Sequence, residues 1–222
     1  TNNVVITATK DGNYYNIGEF QSYGEISELS NIFSEDGHYE ITVTATDGAG
    51  NTTENKIDFS IDVNAPEISI SGFSNGVYHE LSRFTHYNTT QNITAKVKDN
   101  NLKVDTDGNY VLPQLKISDL NNGEANVTEK IVGNNSWKIS DNEMVLDFDF
   151  TAALEDGKYK IDFDYIDNYG NITTCDSLNI IIDGTTPEIT LTGIENDSYN
   201  NSSKTLYMKV VERNYYANTI DV

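Results

Sequence analysis

Apolar and polar side chains alternate along many short stretches of this chain. In the stretches 39–45 and 159–165, every second residue is apolar and the residues between are mostly polar. An alternation of this kind places one face against a core and one in water, which is typical of β-strands. Further alternating runs occur at 57–61, 93–97, 144–150 and 178–182. No stretch shows a convincing helical period, so we predict an all-β chain.

The alternating stretches belong to a sequence that repeats. EDGHYEITVTATDGAGN (35–51) aligns with EDGKYKIDFDYIDNYGN (155–171), at a spacing of about 120 residues. Shortly afterwards, IDVNAPEISISG (61–72) aligns with IDGTTPEITLTG (182–193). This spacing is the size of a whole domain, and it predicts an array of domains.

Two of the three prolines of the chain, Pro66 and Pro187, occupy the same place in the two copies. A proline there withholds a backbone donor, so the last strand of one domain cannot continue into the first strand of the next. The prolines therefore mark the predicted boundaries between domains.

The combined motif, D-G-x-Y-x-I-x-V-x-A-x-D-x-A-G-N followed by I-D-x-x-x-P-x-I, resembles the immunoglobulin-like repeats of bacterial cell-surface proteins. The resemblance is clearest at 36–68 and 156–189. It implies an all-β fold of tandem immunoglobulin-like antiparallel β-sandwiches, in a secreted protein at the bacterial cell surface. Tyr39 and Tyr159 stand where the tyrosine corner of such a sandwich is expected.

The phase of the repeat predicts three segments. Residues 1–64 are the C-terminal part of one repeat, 65–186 a complete β-sandwich, and 187–222 the N-terminal part of a further repeat. The first partners that this implies are neighbouring repeats of the same protein. The two partial repeats are expected either to self-associate between molecules by strand exchange or to pair within one chain.

The charge of the chain limits the classes of partner that it can bind. Its 222 residues include 14 Lys and Arg against 35 Asp and Glu, a net charge of −21. This charge repels a phosphate backbone, so we expect no nucleic-acid partner. No apolar run approaches the about 20 residues that span a bilayer, so no membrane insertion is expected. The single cysteine, Cys175, leaves no internal disulfide, as in cytosolic proteins and some bacterial surface proteins.

Acidic and amide side chains concentrate near the predicted junctions. Calcium is bound by about six to eight oxygen ligands, and a linker between two sandwiches can draw them from both. Structural calcium is therefore one hypothesis, and solvated acidic turns are the alternative. The candidate metal ligands are Asp47, Asp62, Asn64 and Glu67, with Asp99 nearby, at one junction, and Asp167 and Asp183 at the next.

Catalysis is not predicted. GFSNG (72–76) matches the G-x-S-x-G nucleophile motif, but that motif needs a strand, a sharp turn and a helix. The second copy also has Glu195 in place of Ser74.

Aromatic side chains offer another function, because sugars stack on them. The candidates are Trp137, Tyr215 and Tyr216, with a core position as the alternative for Trp137.

The function that these patterns favour is mechanical. We expect a non-catalytic extracellular spacer or stalk of a bacterial surface protein. The alternative is an adhesin or carbohydrate-binding module that uses loops and exposed aromatics to bind a host or matrix protein or a glycan.

Overall fold

The structure is a computed structural model that describes residues 3–17, 33–80, 83–150 and 156–212; Tyr215 and Tyr216 lie outside these residues. The strands are β1 (Asn3–Lys10), β2 (Asn13–Tyr15), β3 (Gly37–Thr46), β4 (Thr52–Ile61), β5 (Glu67–Ser71), β6 (Val77–His79), β7 (Phe84–Tyr87), β8 (Gln91–Lys98), β9 (Gln114–Asp119), β10 (Ala125–Asn126), β11 (Lys138–Ser140), β12 (Glu143–Phe150), β13 (Gly157–Ile166), β14 (Ile172–Ile182), β15 (Glu188–Thr192) and β16 (Tyr207–Val211).

The helical elements of the described residues are a 3-10 turn, Leu120–Asn122, and a short helix, α1 (Thr128–Val132). The sequence did not predict α1, because its 5 residues are too few for a helical period to show. Among the described residues, no helix has the length and apolarity needed to cross a lipid bilayer.

The chain divides into two compact units. The first consists of Thr1–Glu67, Asp99–Val111 and Ile166–Thr173, and the second of Ile68–Lys98, Leu112–Tyr165 and Thr174–Val222. The first unit thus takes in two segments that the sequence repeat assigns to the middle copy. The boundaries that the repeat places at 64 and 186 stay a prediction.

In the first unit, the strands β2, β1, β3 and β4 form one antiparallel sheet in that order. Ala8 and Ile41 pair across β1 and β3, and Ile17 is buried against them. Tyr39 is 0% exposed, and its hydroxyl donates a 2.8 Å hydrogen bond to the carbonyl of Glu35. A tyrosine that bonds the backbone a few residues upstream is the arrangement expected of a tyrosine corner.

The second unit contains two sheets that pack face to face. One has the strand order β10-β9-β13-β14-β7-β6, and the other β11-β12-β8-β5. The rings of Phe150 on β12 and Tyr159 on β13 meet edge to face, with centroids 5.0 Å apart. Every second residue of β8, β12 and β13 is buried, so the predicted alternation becomes the core of a β-sandwich.

This strand order is that of an immunoglobulin-like sandwich. β5, β8, β12 and β11 take the places of strands A, B, E and D, and β9, β13 and β14 those of C, F and G. β7 pairs in parallel with the end of β14, whereas β13 pairs antiparallel with β9 and β12 pairs antiparallel with β8. The predicted all-β fold of antiparallel immunoglobulin-like sheets is confirmed.

The two copies of the repeat also match at the level of single contacts. Gly72 and Gly193 both have a positive φ, of 99° and 95°. A Cβ at Gly72 would overlap the carbonyl oxygen of Asn92, and one at Gly193 would overlap that of Thr205. Both positions therefore require glycine. The pair β15–β16 consequently repeats β5–β8, with Thr205 in the place of Asn92.

Candidate metal centre

Among the described residues, three carboxylates come together in the first unit. Asp62 follows the end of β4, Asp99 follows β8, and Asp167 follows β13. One carboxylate oxygen of each lies within 4.8 Å of those of the other two. Asp167 is buried and the other two are half-buried. Like charges this close repel one another, so the cluster favours a bound cation or a proton.

Asp167 is fixed by the turn DNYGN that joins β13 to β14. Its Oδ1 accepts hydrogen bonds from the N–H groups of Tyr169, Gly170 and Asn171 at 2.8, 2.6 and 2.8 Å. Its Oδ2 accepts a 2.8 Å bond from the side-chain amide of Asn171. The turn thus sets the orientation of the carboxylate before any ligand arrives.

The same D-x-x-G-N turn occurs twice more, at 47–51 and 105–109, with Asn51 and Asn109 donating to the first aspartate. The side-chain and backbone bonds from Asn51 lower the pKa of Asp47 below its ordinary value. The backbone N–H of Asn109 does the same for the pKa of Asp105. Both turns are exposed. The D-x-x-G-N pattern by itself therefore predicts a turn and not a metal site. Asp167 differs from Asp47 and Asp105 because other carboxylates surround it.

Asn101 connects the other two members of the cluster. Its backbone N–H donates to Asp99 Oδ1 at 2.6 Å, and its side-chain amide donates to Asp62 Oδ2 at 2.7 Å. Its carbonyl accepts a 3.0 Å bond from the N–H of Asn168, in the turn that holds Asp167. Three segments that are far apart in sequence are thereby held together.

The electrostatics of the cluster are visible at Asp99. Burial raises the pKa of the Asp99 carboxyl, and repulsion from Asp167, Asp62 and Asp36 raises it further. The hydrogen bond from the N–H of Asn101 acts in the opposite direction. A divalent cation would relieve the same repulsion without protonating the carboxyl.

A cleft of about 390 Å³ opens beside the cluster within the same unit. Four carboxylates line it, those of Asp11, Asp36, Asp62 and Asp99, together with the side chain of Asn101. Apolar ligand pockets are lined mainly by apolar side chains, whereas this one is mainly polar. The cleft suits a hydrated cation, whose remaining ligands are water.

The structure brings together two of the six predicted ligands, Asp62 and Asp167, and places Asn64 beside them. The N–H of Asn64 donates a 3.1 Å bond to Asp62 Oδ1, and Asn64 lines the cleft. Glu67 is exposed at the start of β5 and does not belong to the cluster. Asp183 follows β14, and its N–H donates to the carbonyl of Tyr87.

The sequence suggested that Asp47 and Asp62 share one site, but the structure separates them. In the β3–β4 register, Thr46 pairs with Thr52 at one end and Gly37 pairs with Ile61 at the other. Asp47 follows the first of these ends and Asp62 the second, so the 10 residues of each strand separate them. That length is about 33 Å. The predicted grouping of Asp47 with Asp62 is wrong. Asp47 lies in the turn of the β3–β4 hairpin, and Asp62 lies in the linker at the opposite end of that hairpin.

The candidate stacking residue Trp137 lies against the sandwich core. Its ring stacks on Phe163 with centroids 6.0 Å apart and planes 14° apart, and the residue is half-buried. Phe163 itself is 0% exposed. One face of the indole is thus occupied, which favours the core position considered from the sequence.

Ser74 is exposed and is followed by strand β6, so the helix of a nucleophile motif is missing there.

Asp36 and Asn101 were not predicted as members of the site. Asp36 recurs as Asp156 in the second copy, and both accept a backbone N–H from just beyond their hairpin. Asn101 recurs as Asn214, which lies outside the described residues. The recurrence of each residue was the signal in the sequence that could have identified it.

The chain matches no protein-family model. It also matches no curated protein. Among solved structures it is similar to the I-band fragment I67-I69 from titin, with a TM-score of 0.40 and 12% sequence identity over 90% of this chain and 72% of that chain.

Proposed function

We propose that this chain is a non-catalytic structural spacer, made of tandem immunoglobulin-like sandwiches in the stalk of a bacterial surface protein. One observation carries the proposal: in each copy, an aspartate before the hairpin accepts a hydrogen bond from the backbone of the segment that follows the hairpin. Asp36 Oδ1 accepts the N–H of Val63 at 2.7 Å, and Asp156 Oδ1 accepts the N–H of Gly184 at 2.8 Å. A spacer needs every linker fixed in the same way, whereas a catalytic or receptor site needs only one copy.

The cleft contains a serine and a histidine, but their geometry supports a structural role. Ser60 Oγ and His38 Nδ1 lie 3.0 Å apart, and the register pairs these two residues directly across β4 and β3. A nucleophilic serine needs a sharp turn that presents it beside converging backbone N–H groups, whereas Ser60 lies within the regular strand β4. The pair is therefore a cross-strand hydrogen bond on an exposed face.

A glycan and matrix-protein binding array tests the spacer against the adhesin alternative. The spacer predicts no reproducible binding by the chain. The alternative predicts a hit that disappears when an exposed tyrosine is replaced. Tyr14 is 78% and Tyr199 is 103% exposed, so Tyr14→Ser and Tyr199→Ser remove candidate stacking surface without disturbing a core. A hit lost in either variant would overturn the spacer proposal.

We further propose that calcium occupies the cluster of Asp62, Asp99 and Asp167 and stiffens the array. The support is the approach of their carboxylate oxygens to within 4.8 Å beside a polar cleft, in an arrangement fixed by amide donors. Thermal unfolding in calcium, in magnesium and in a chelator tests it. Calcium is expected to raise the melting temperature above that in either of the others. Identical melting curves in calcium and chelator would contradict the proposal.

A further inference from the structure

The sequence contains nine asparagines in the pattern N-x-S/T, where x is not proline. This pattern is the acceptor motif of N-linked glycosylation. The motifs begin at residues 51, 88, 92, 126, 134, 171, 196, 200 and 201, all of which belong to the described part of the chain. The pattern alone does not choose between these asparagines, but their surroundings differ.

Several of the asparagines use their side-chain amide in the fold. Asn51 and Asn171 donate a hydrogen bond from Nδ2 to the aspartate of their turn. Asn196 and Asn200 donate theirs to nearby side chains. Asn92 lies on β8, which has a partner strand on each side. Glycosylation needs Nδ2 and access to the backbone around it, so these five positions are poorly suited to it.

At Asn126 the amide is arranged differently. Its Oδ1 accepts hydrogen bonds from the N–H and from the hydroxyl of Thr128, at 3.0 and 2.7 Å. The two polar residues of the motif are thus already in contact. Asn126 is exposed, and no described residue accepts a hydrogen bond from its Nδ2. The amide nitrogen is therefore free to react.

Asn126 also lies where an enzyme can reach the backbone. It belongs to β10, a strand of 2 residues at the edge of its sheet. The strand pairs with β9, with Asn126 opposite Ser118. An edge strand this short has few contacts to break, so the segment can open locally to enter an active site. A sugar attached there extends beyond the sheet and displaces no neighbouring strand.

Charge separates Asn126 from the asparagines that remain. Two positions before it lies Glu124, which is exposed. The corresponding positions before Asn88, Asn134 and Asn201 hold no acidic residue. A carboxylate beside the motif offers an enzyme a charge-assisted contact with a basic side chain. Within this chain, Asn126 is the N-x-S/T asparagine that offers this contact.

We propose that Asn126 is a site of N-linked glycosylation. The inference rests on the proposed position of the chain at a bacterial surface, because an exported chain meets a membrane-bound oligosaccharyltransferase. The donor is an oligosaccharide linked to a polyprenyl diphosphate. Its anomeric carbon bonds to Nδ2 while the bond from that carbon to the diphosphate oxygen breaks. Polyprenyl diphosphate leaves with the electron pair, the amide nitrogen releases one proton, and nothing is oxidised or reduced.

Glycosylation of the purified, folded chain tests the proposal. The chain is incubated with a bacterial oligosaccharyltransferase and a polyprenyl-diphosphate-linked oligosaccharide of known mass, and a standard acceptor peptide confirms that the enzyme is active. Intact-mass spectrometry is expected to show the addition of one glycan, and peptide mapping to place it on Asn126. Asn126→Gln should lose the glycan, whereas Asn134→Gln, in a motif without the acidic residue, should retain it. A chain that gains no glycan, or that keeps it in Asn126→Gln, would overturn the proposal.

A second variant tests the contribution of charge. Glu124→Gln preserves the N-x-S/T motif and removes the carboxylate, so we expect most of the modification to be lost. An unchanged yield would contradict the selection of this motif by charge. Circular dichroism checks that each variant remains folded. Because the reaction uses the purified chain, its failure would leave the spacer proposal standing, which the binding array decides separately.

Discussion

The side-chain amide of Asn171 donates a 3.1 Å hydrogen bond to the backbone carbonyl of Asp62, across 109 residues of sequence. The same amide donates a 2.8 Å bond to Asp167 Oδ2. One side chain thus holds together the turn that presents Asp167 and the segment that presents Asp62. The geometry of the candidate centre depends on this amide more than on any contact between the carboxylates, which repel one another.

Replacing this amide is expected to destabilise the first unit. Asn171→Ala removes both half-buried bonds, and we expect it to lower the free energy of unfolding by about 2 kcal/mol. The matched control is Asn51→Ala, because Asn51 makes the same turn with Asp47 but is exposed. We expect it to cost about 0.5–1 kcal/mol. Denaturant unfolding measures both, and equal losses would show that the bond to Asp62 contributes nothing.

Asp99→Asn is expected to act in opposite directions with and without calcium. Without calcium the substitution removes a carboxylate that burial and three like charges disfavour, so the melting temperature should rise. With calcium it removes a proposed ligand, so the stabilisation by the ion should largely disappear. Asp47→Asn, at the far end of the hairpin, is the control and should leave the response to calcium unchanged. Calorimetric melts in calcium and chelator measure both effects.

The ion pair of Asp147 predicts a dependence of stability on pH. Hydrogen bonds from Lys138 and Thr94 lower the pKa of Asp147 below its ordinary value of 3.8. A carboxyl whose pKa is lower in the folded state contributes stability above the unfolded value, and this contribution is lost as the pH falls through the folded value. Asp147→Asn should therefore destabilise the protein at neutral pH.

Below the folded pKa of Asp147, the same variant should match the wild type. Asp149→Asn, at an exposed residue two positions along β12, supplies the comparison. Unfolding curves recorded across the acidic range check the prediction. A deficit of Asp147→Asn that is constant with pH would refute the electrostatic origin.

The glycine that follows β5 should tolerate no side chain. Gly72→Ala places a methyl group against the carbonyl of Asn92 and also strains a backbone with φ of 99°. Gly50→Ala strains a similar backbone, with φ of 89°, but meets no atom within 4 Å. We expect losses of about 3 kcal/mol or more for Gly72→Ala and about 1–2 kcal/mol for Gly50→Ala. Denaturant unfolding compares the two, and equal losses would mean that the close approach is unimportant.

Much of the fold follows from the sequence. The alternation at 39–45 and 159–165 identifies β3 and β13 and their buried faces, because the period of two is set by the backbone itself. The repeated prolines lie, as expected, between one strand and the next: Pro66 before β5 and Pro187 before β15.

The candidate site follows from the sequence only in part. Alternation shows which face of a strand is buried, but it does not show which end of one hairpin lies near the end of another. For that reason Asp62 was grouped with Asp47, which is near it in sequence, and its contact with the turn of Asp167 was missed. The sequence analysis also did not recognise DTDGN (105–109) as a D-x-x-G-N turn. Its hydrogen bonds, from the N–H groups of Asp107 and Asn109 to Asp105 Oδ1, depend only on the spacing of these residues along the chain.

If the chain is part of the array proposed above, the placement of the acidic cluster has a consequence for how that array lengthens in evolution. Asp62 belongs to one copy of the sequence repeat, and Asp99 and Asp167 belong to the next. A duplication that inserts one whole copy therefore creates one new cluster, wherever in the array it occurs. A deletion or recombination out of phase with the repeat leaves aspartates without their counterparts. Selection on the cluster would thus keep the gene changing its length by complete repeats.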